Sequence, residues 1–529
     1  MAHSPHPEVS VPDVSVYDYL FGGLGDADLD EVALIDGTSG AATTYRQLVG
    51  QVGLVAGALA ARGVGVDDVV GILCPNVPAF AAVFHGILRA GATATTINSL
   101  YTPDEIVKQL TDAGSRWLFT VSPLLPGAKA AADRLGIPDE QLVVLDGAEG
   151  HPSLRDLLGE GRPAPDVSFD PATHMAVLPY SSGTTGIPKG VMLTHRNLVA
   201  NVEQSRAVIG LEHGDRVLAV LPFFHIYGMT VLLNYALKCG ATLVTMPRFD
   251  LQEFLRVISE HRATWVFIAP PIAVALAKHP LVDQYDLSSV QVVFSGAAPL
   301  DGALADLVAR RLGCVVCQGY GMTETSPVTH AIPRERTDLD RSSIGFLLPN
   351  TEARIVDVDS GADVDVPADG QSAPGELLIR GPQVMHGYLH NPEATAAMLD
   401  PDGWLHTGDI ATVTADGIYR IVDRLKELIK YKGYQVAPAV LEAVLLAHPK
   451  IADAAVIGVL DEDGQEVPKA FIVPQAGAEL DAQAVMDYVA GEVSPYEKVR
   501  VVEFIDAIPK SSSGKILRKD LRAREATQA

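Results

Sequence analysis

Between Tyr180 and Lys189 the chain reads YSSGTTGIPK, a crowding of hydroxyls, glycines and one lysine that can hold phosphate. The hydroxyls of Ser181, Ser182, Thr184 and Thr185, the ammonium of Lys189 and the successive backbone N–H groups all donate to anionic oxygens, and Gly183 lets the chain approach closely. The order is not that of a P-loop, whose Gly-Lys-Ser/Thr runs directly into a helix. Here Pro188 precedes Lys189 and Gly190 follows it. The flanks MAVLPYS and GVMLT are both strand-like, so the spacing predicts a mobile hairpin tip closing over phosphates. A plain glycine-rich surface turn is the blander reading, weakened by the number of donors gathered there.

A second glycine turn, QGYGMTET, gathers Gln318, Gly319, Tyr320, Gly321, Thr323 and Glu324. It is not a dinucleotide fingerprint, because Glu324 stands where the third glycine belongs. Taken alone, Glu324 is an acid in a glycine turn, a place where solvated carboxylates are common. Just upstream, Cys314 and Cys317 form a CxxC without a second ligand pair at zinc spacing, and GCVVCQGYG reads as a buried strand entering a turn.

The elements that must position these residues alternate. DVVGILCPN, RWLFTV, ATLVTMP, TWVFIAPP, VQVVFSGAAPL and CVVCQGYG are apolar strand-like runs, and VPAFAAVFHGILRAGA and LQEFLRVISEHR between them are helical. Thr102, followed by Pro103 and acidic residues, starts one helix, and Thr194 caps the helix that begins at THRNLVANVEQ. From about Ser343 short strands with turns take over (TEARIVDV, GELLIRG, GIYRIVDR), which predicts a smaller β-rich unit. A final α+β segment ends in the basic stretch KILRKDLRAR. The expected class is α/β: a large multi-layer N-terminal domain with a β-rich subdomain, then a small α+β domain.

The 529 residues exceed one compact domain. With 65 acidic against 40 basic residues, the net charge of −25 argues against nucleic acid or an anionic membrane as partner, while an anionic small substrate remains open if one pocket is basic. There is no run of 18 apolar residues and no leader-like N-terminus, and the four cysteines suit a reducing compartment; a cytoplasmic protein is expected.

YSSGTTGIPKGVMLTH resembles the signature loop of the adenylate-forming enzymes: acyl-CoA synthetases, luciferases and peptide-synthetase adenylation domains. LPFFHIYG, VFSGAAPL, QGYGMTET, GELLIRGPQVMHGYL, GWLHTGD, VDRLKELIKYKGYQVAP and PKSSSGKILRK follow in the family's order. Within that superfamily the chain is most similar to the 4-coumarate:CoA ligases and their bacterial relatives, departing from the plant form where GELLIRG replaces a cysteine-containing box. The resemblance implies a two-step reaction. A carboxylate attacks the α-phosphorus of ATP and releases pyrophosphate, and the thiol of CoA then displaces AMP from the acyl-adenylate.

It implies an adenylation domain over residues 1–424 and a mobile C-terminal domain over 425–529. It sets the loop from Ser181 to Lys189 on the β- and γ-phosphates, Thr323 near the α-phosphate, Glu324 on Mg²⁺, and Tyr320 against adenine beside Gln318 and Gly319. Asp409 and Arg424 match the ribose positions, where an acceptor carboxylate and a forked donor suit two hydroxyls. Lys515 bridges the acyl carboxylate and the α-phosphate, and His225 is a gate beside the reacting carboxylate. Tyr227, Ser295, Gly296, Ala297, Gly321, Pro327 and Val328 line the acid pocket. Arg248, Lys426, Lys432 and Gly433 meet CoA, while Lys430 and Gln435 serve ligase activity from the same segment.

A peptide-synthetase domain would carry an aspartate near the pocket for an amino group, and FFHIYG offers none; no carrier domain follows Lys515, so free CoA is the expected acceptor. A luciferase is not favoured, and ATQA is no peroxisomal signal. Hydroxycinnamates are the expected acids, medium- or long-chain fatty acids the alternative. A non-catalytic acyl or nucleotide sensor is the alternative of another class, against which stand Lys515, Glu324, Asp409 and Lys189 together.

Overall fold

Short β-branched runs that are buried on both faces form parallel sheets, and most of the apolar segments read above do so. The computed structural model describes residues 2–181, 188–431, 434–461, 465–511 and 514–528. Val292–Ser295, Trp265–Ile268, Arg216–Ala219 and Thr242–Thr245 lie side by side in parallel, with Val315–Gly321 next to Val292–Ser295, inside a nine-stranded sheet. A second sheet centres on parallel Thr93–Thr96, Val69–Leu73 and Trp117–Thr120. One large core joins the two.

Local signals hold where they were read. Thr102 accepts from Glu105 N–H and Thr194 from Asn197 N–H, each in a reciprocal capping box at its helix start. Lys189–Thr194 pairs antiparallel with Tyr180–Ser181, so the glycine loop does join two strands of a hairpin; residues 182–187 at its tip lie outside the described residues. Cys314 and Cys317 are free thiols, the first just before the strand Val315–Gly321 and the second buried on it, and burial pushes them up to about 11 and about 12.

The β-rich unit is a five-stranded antiparallel sheet ordered Ala2–His3, Glu352–Val356, Gly375–Arg380, Leu405–Val413, Tyr419–Arg424. Its edge strand comes from the chain's beginning, a pairing no local pattern announces. After Arg424 come the hairpin of Ile429–Tyr431 with Tyr434–Val436 and a three-stranded sheet, Ile451–Leu460, Glu466–Pro474 and Val501–Phe504, with separate cores. The basic stretch is no free tail: it forms the helix Arg518–Gln528, with Arg518 on Glu442, Arg522 on Glu427 and Arg524 on Glu503. Among the described residues no helix is long and apolar enough to cross a membrane.

Candidate functional site

Parallel strands deliver their carboxyl ends, and the loops that follow, to one edge of the sheet, where ligands of open α/β sheets bind. Ile268, Ser295 and Gln318 are in register at that edge. Gly296 and Ala297 follow Ser295, and Gly319 to Gly321 follow Gln318. Ala297 sits at φ 71°, a left-handed conformation uncommon for a residue with a Cβ and one that clusters at functional sites.

A narrow slot opens there, lined by His225, Tyr227, Gly296, Ala297, Tyr320, Gly321, Pro327, Val328 and, from the far end of the chain, Lys515. A Cβ on Gly296 would lie 2.8 Å from the Tyr227 ring, so the absent side chain is what lets that ring close the slot. At Gly321 a Cβ would lie 2.0 Å from the Pro327 carbonyl; this glycine serves a close approach of backbones more than room for a ligand. Ser295 is fully buried, and its Oγ has no hydrogen-bond partner among the described residues.

Tyr227 opens a π-helix, Tyr227–Asn234. Such wide turns are frequent at functional sites, and this one reads as an ordinary apolar stretch in the sequence. The Tyr227 N–H donates to His225 Nδ1 at 3.3 Å, which leaves the ring proton on Nε2. Burial, reinforced by the nearby Lys515 charge, pushes His225 down to about 3, so the imidazole is neutral at working pH. Lys515 is itself brought down to about 8 by burial first and by Arg424 second, with Asp409 and Glu324 opposing.

Asp409 and Arg424, on adjacent antiparallel strands, are direct cross-strand neighbours. Arg424 Nε stands 3.4 Å from the Asp409 carboxylate, and the Tyr320 hydroxyl donates to it at 2.5 Å. Burial raises the Asp409 pKa, and Arg424 and that hydroxyl counter it. The Tyr320 ring is thereby pinned by its hydroxyl end. Gln318 is 2% exposed, and its side chain is spent on backbone, accepting from Leu300 N–H and donating to the Arg341 and Ser343 carbonyls. It therefore braces the site through backbone and has no amide group left to present to a base.

Glu324, 5% exposed, follows Thr323 in a single 3-10 turn and accepts from Ser181 Oγ at 3.2 Å and from the Tyr388 hydroxyl at 2.7 Å. The Lys189 ammonium lies 4.8 Å from the centroid of the Tyr388 ring. Ser181, Lys189, Glu324 and Tyr388 are thus one cluster. Its donor set, one buried carboxylate and a hydroxyl beside a lysine, fits a hard cation that shares phosphate oxygens. Ser182, Gly183, Thr184 and Thr185 lie outside the described residues, as do Lys432 and Gly433.

Arg248, Lys426, Lys430 and Gln435 are exposed, and none lines the slot. Lys430 and Gln435 face each other across the hairpin that starts at Ile429. Two residues of the site went unread in the sequence. Tyr388 lies in the second half of the motif GELLIRGPQVMHGYL, beyond the box compared with the plant form, and Asn201, which clasps both the N–H and the carbonyl of Val328, is signalled only by being an amide at a buried helical position.

The AMP-binding enzyme family matches residues 26–389, and the AMP-binding enzyme C-terminal domain matches 440–515. The chain is 43% identical to 4-coumarate--CoA ligase 5 of Oryza sativa subsp. japonica and 42% identical to 4-coumarate--CoA ligase 1 of Solanum tuberosum, in each case over 98% of this chain and 96% of the relative. Among solved structures it is similar to an anthranilate CoA ligase in complex with anthranoyl-AMP, with a TM-score of 0.89 at 27% identity over 98% of this chain and 99% of the other. A benzoate CoA ligase from Burkholderia xenovorans LB400 gives 0.86 at 25%, over 96% of this chain and all of the other.

Proposed function

The chain belongs to the AMP-binding enzyme family, and from that premise we propose that it is an ATP-dependent acid:CoA ligase acting on hydroxycinnamates through an acyl-adenylate. One observation carries the mechanism: Lys515, from the C-terminal part of the chain, stands in the same slot as His225 and Tyr227. Both reactants of the first step are anions, so the protein's main task is to neutralise and align them. A carboxylate oxygen of the acid bonds to the α-phosphorus as the bond to the bridging oxygen breaks, and pyrophosphate leaves with that electron pair. The Lys515 ammonium bridges the two reacting anions, and Lys189 and the loop hydroxyls receive the charge that builds on pyrophosphate.

Asp409 accepts from the ribose hydroxyls and Arg424 donates to them, while Tyr320 presents a ring already immobilised by its hydrogen bond to Asp409. Glu324 and Ser181 would hold Mg²⁺, which supplies charge neutralisation between the phosphates. In the second step the CoA thiolate attacks the acyl carbonyl and AMP departs. Arg248, Lys426 and Lys432 receive the CoA phosphates, Gly433 lets pantetheine pass, and Lys430 and Gln435 come to the slot after Lys515 leaves it. We set the boundary between the two domains at Arg424 and Leu425, and place the protein in the cytoplasm with its co-substrates.

Thioester formation across a panel of cinnamic, benzoic and fatty acids tests the reading: a hydroxycinnamate should have the highest kcat/KM. Palmitate as the best substrate by a wide margin would refute the aryl assignment, and no thioester from any acid would refute the ligase. Within that panel Gly296→Leu should push the Tyr227 ring into the slot and raise KM for the aryl acid at a cost of about 1–3 kcal/mol. An unchanged KM would mean that the ring binds elsewhere.

Tyr388→Phe removes the hydroxyl that fixes Glu324. It should raise the half-saturating Mg²⁺ concentration of pyrophosphate exchange about tenfold, the scale for losing an outer hydrogen bond to a metal ligand. Weaker Mn²⁺ binding by electron paramagnetic resonance, in the presence of ATP, should accompany it. Wild-type metal dependence in both measurements would detach Glu324 from the metal.

A further inference from the structure

Helix Pro438–Ala447 begins after Ala437, which has no side chain able to cap it. Its Ala439 N–H is instead met by the carboxylate of Asp423 at 2.8 Å. At the opposite end the Leu446 carbonyl, one of the acceptors a helix leaves unpaired, receives the ammonium of Lys278 at 2.7 Å, and the Ile451 carbonyl lies 3.4 Å from the same nitrogen. A carboxylate at the positive end and an ammonium at the negative end both complement the helix dipole.

The two gripping residues belong to the larger body. Asp423 is in the strand Tyr419–Arg424, paired with Ile410, and Lys278 ends the helix Pro270–Lys278. The gripped helix lies beyond Arg424. The start of the same helix also lies against the segment that carries Lys515: a Cβ on Gly514, next to Lys515, would lie 3.0 Å from Ala269 and 3.5 Å from Pro271. The helix Pro270–Lys278 therefore meets the C-terminal part of the chain at two places, one beside Lys515 and one at Lys278.

We propose that Lys278 is a positioning residue for the adenylation half-reaction: together with Asp423 it holds helix Pro438–Ala447 by both ends and so seats Lys515 in the acid slot. This rests on the ligase reading above, in which Lys515 serves the first step and must leave before the second. Rotation of the C-terminal domain breaks the bond from Lys278 to Leu446, because donor and acceptor lie on opposite sides of the junction. The latch thus favours one of two arrangements without touching ATP, acid or CoA.

Lys278→Met keeps the apolar stem and removes the ammonium. The kcat/KM of acid-dependent pyrophosphate exchange should fall about tenfold, the scale of one charge-assisted hydrogen bond, while transfer from supplied acyl-adenylate to CoA stays at the wild-type rate or rises. Lys278→Arg, which keeps a cation and its donors, should retain most of the exchange. An equal loss in both half-reactions, or no change in either, overturns the latch while leaving the ligase reading intact. A wild-type protein that exchanges no pyrophosphate with any acid of the panel removes the ligase reading and the latch together.

Discussion

Lys515→Ala is expected to slow adenylation by on the order of 10²–10³, the scale for losing one preorganised donor to a transition state, while thioester formation from supplied acyl-adenylate and CoA survives. The separation follows from position. Lys515 shares the slot with His225 and Tyr227, whereas Lys430 and Gln435 stand on an exposed hairpin outside it. The pH profile gives a second reading of the same group. Burial and Arg424 bring Lys515 down to about 8, so it is charged below that pH and loses its proton above it. The kcat/KM for adenylation, which reports the free enzyme, should therefore decline as pH rises through about 8. That alkaline limb should vanish in Lys515→Ala. His225, pushed down to about 3 by burial, contributes no limb in the working range. Equal losses in both half-reactions, or an alkaline limb that persists in the variant, would take the first step away from Lys515.

Lys426→Pro should do the reverse, leaving pyrophosphate exchange close to wild type and slowing transfer to CoA by on the order of 10², as expected when reacting groups are held out of alignment. Proline fixes φ near −65° and removes an N–H, and a junction between two bodies works by letting a few residues absorb a change in φ and ψ. Lys426 lies where the sheet strand ending at Arg424 gives way to the hairpin starting at Ile429. The arrangement with Lys515 in the slot already exists, so fixing this residue traps it there. Wild-type rates in both steps for Lys426→Pro would end the proposal of a domain that alternates about this junction.

Much of the chemistry was legible because it is local. The hairpin around YSSGTTGIPKGVMLTH follows from two strand-like flanks and a glycine tip, and the helix starts at Thr102 and Thr194 from a hydroxyl placed to receive a nearby N–H. Alternation of apolar strands with helices is enough to commit the chain to parallel sheets, because such strands must be covered on both faces. The motif order likewise carried the family.

What local pattern could not supply is adjacency. That Asp409 opposes Arg424, that Ser295 and Gln318 reach one edge in register, and that Ala2–His3 completes the five-stranded sheet depend on which strand edges remain to be paired once the cores have formed. The π-helix at Tyr227 escapes for a related reason: in a segment apolar on all sides, periodicity does not distinguish a wide turn from an ordinary one, and packing decides. Tyr388 on Glu324 and Lys278 on Leu446 are contacts between distant segments, the first set by the need of a buried carboxylate for a partner and the second by a carbonyl that a helix end leaves open. Residue types and their spacing thus marked a phosphate-holding loop, the order of the motifs carried the family and with it the expected reaction, and long-range burial and hydrogen-bond satisfaction chose the neighbours of each site residue.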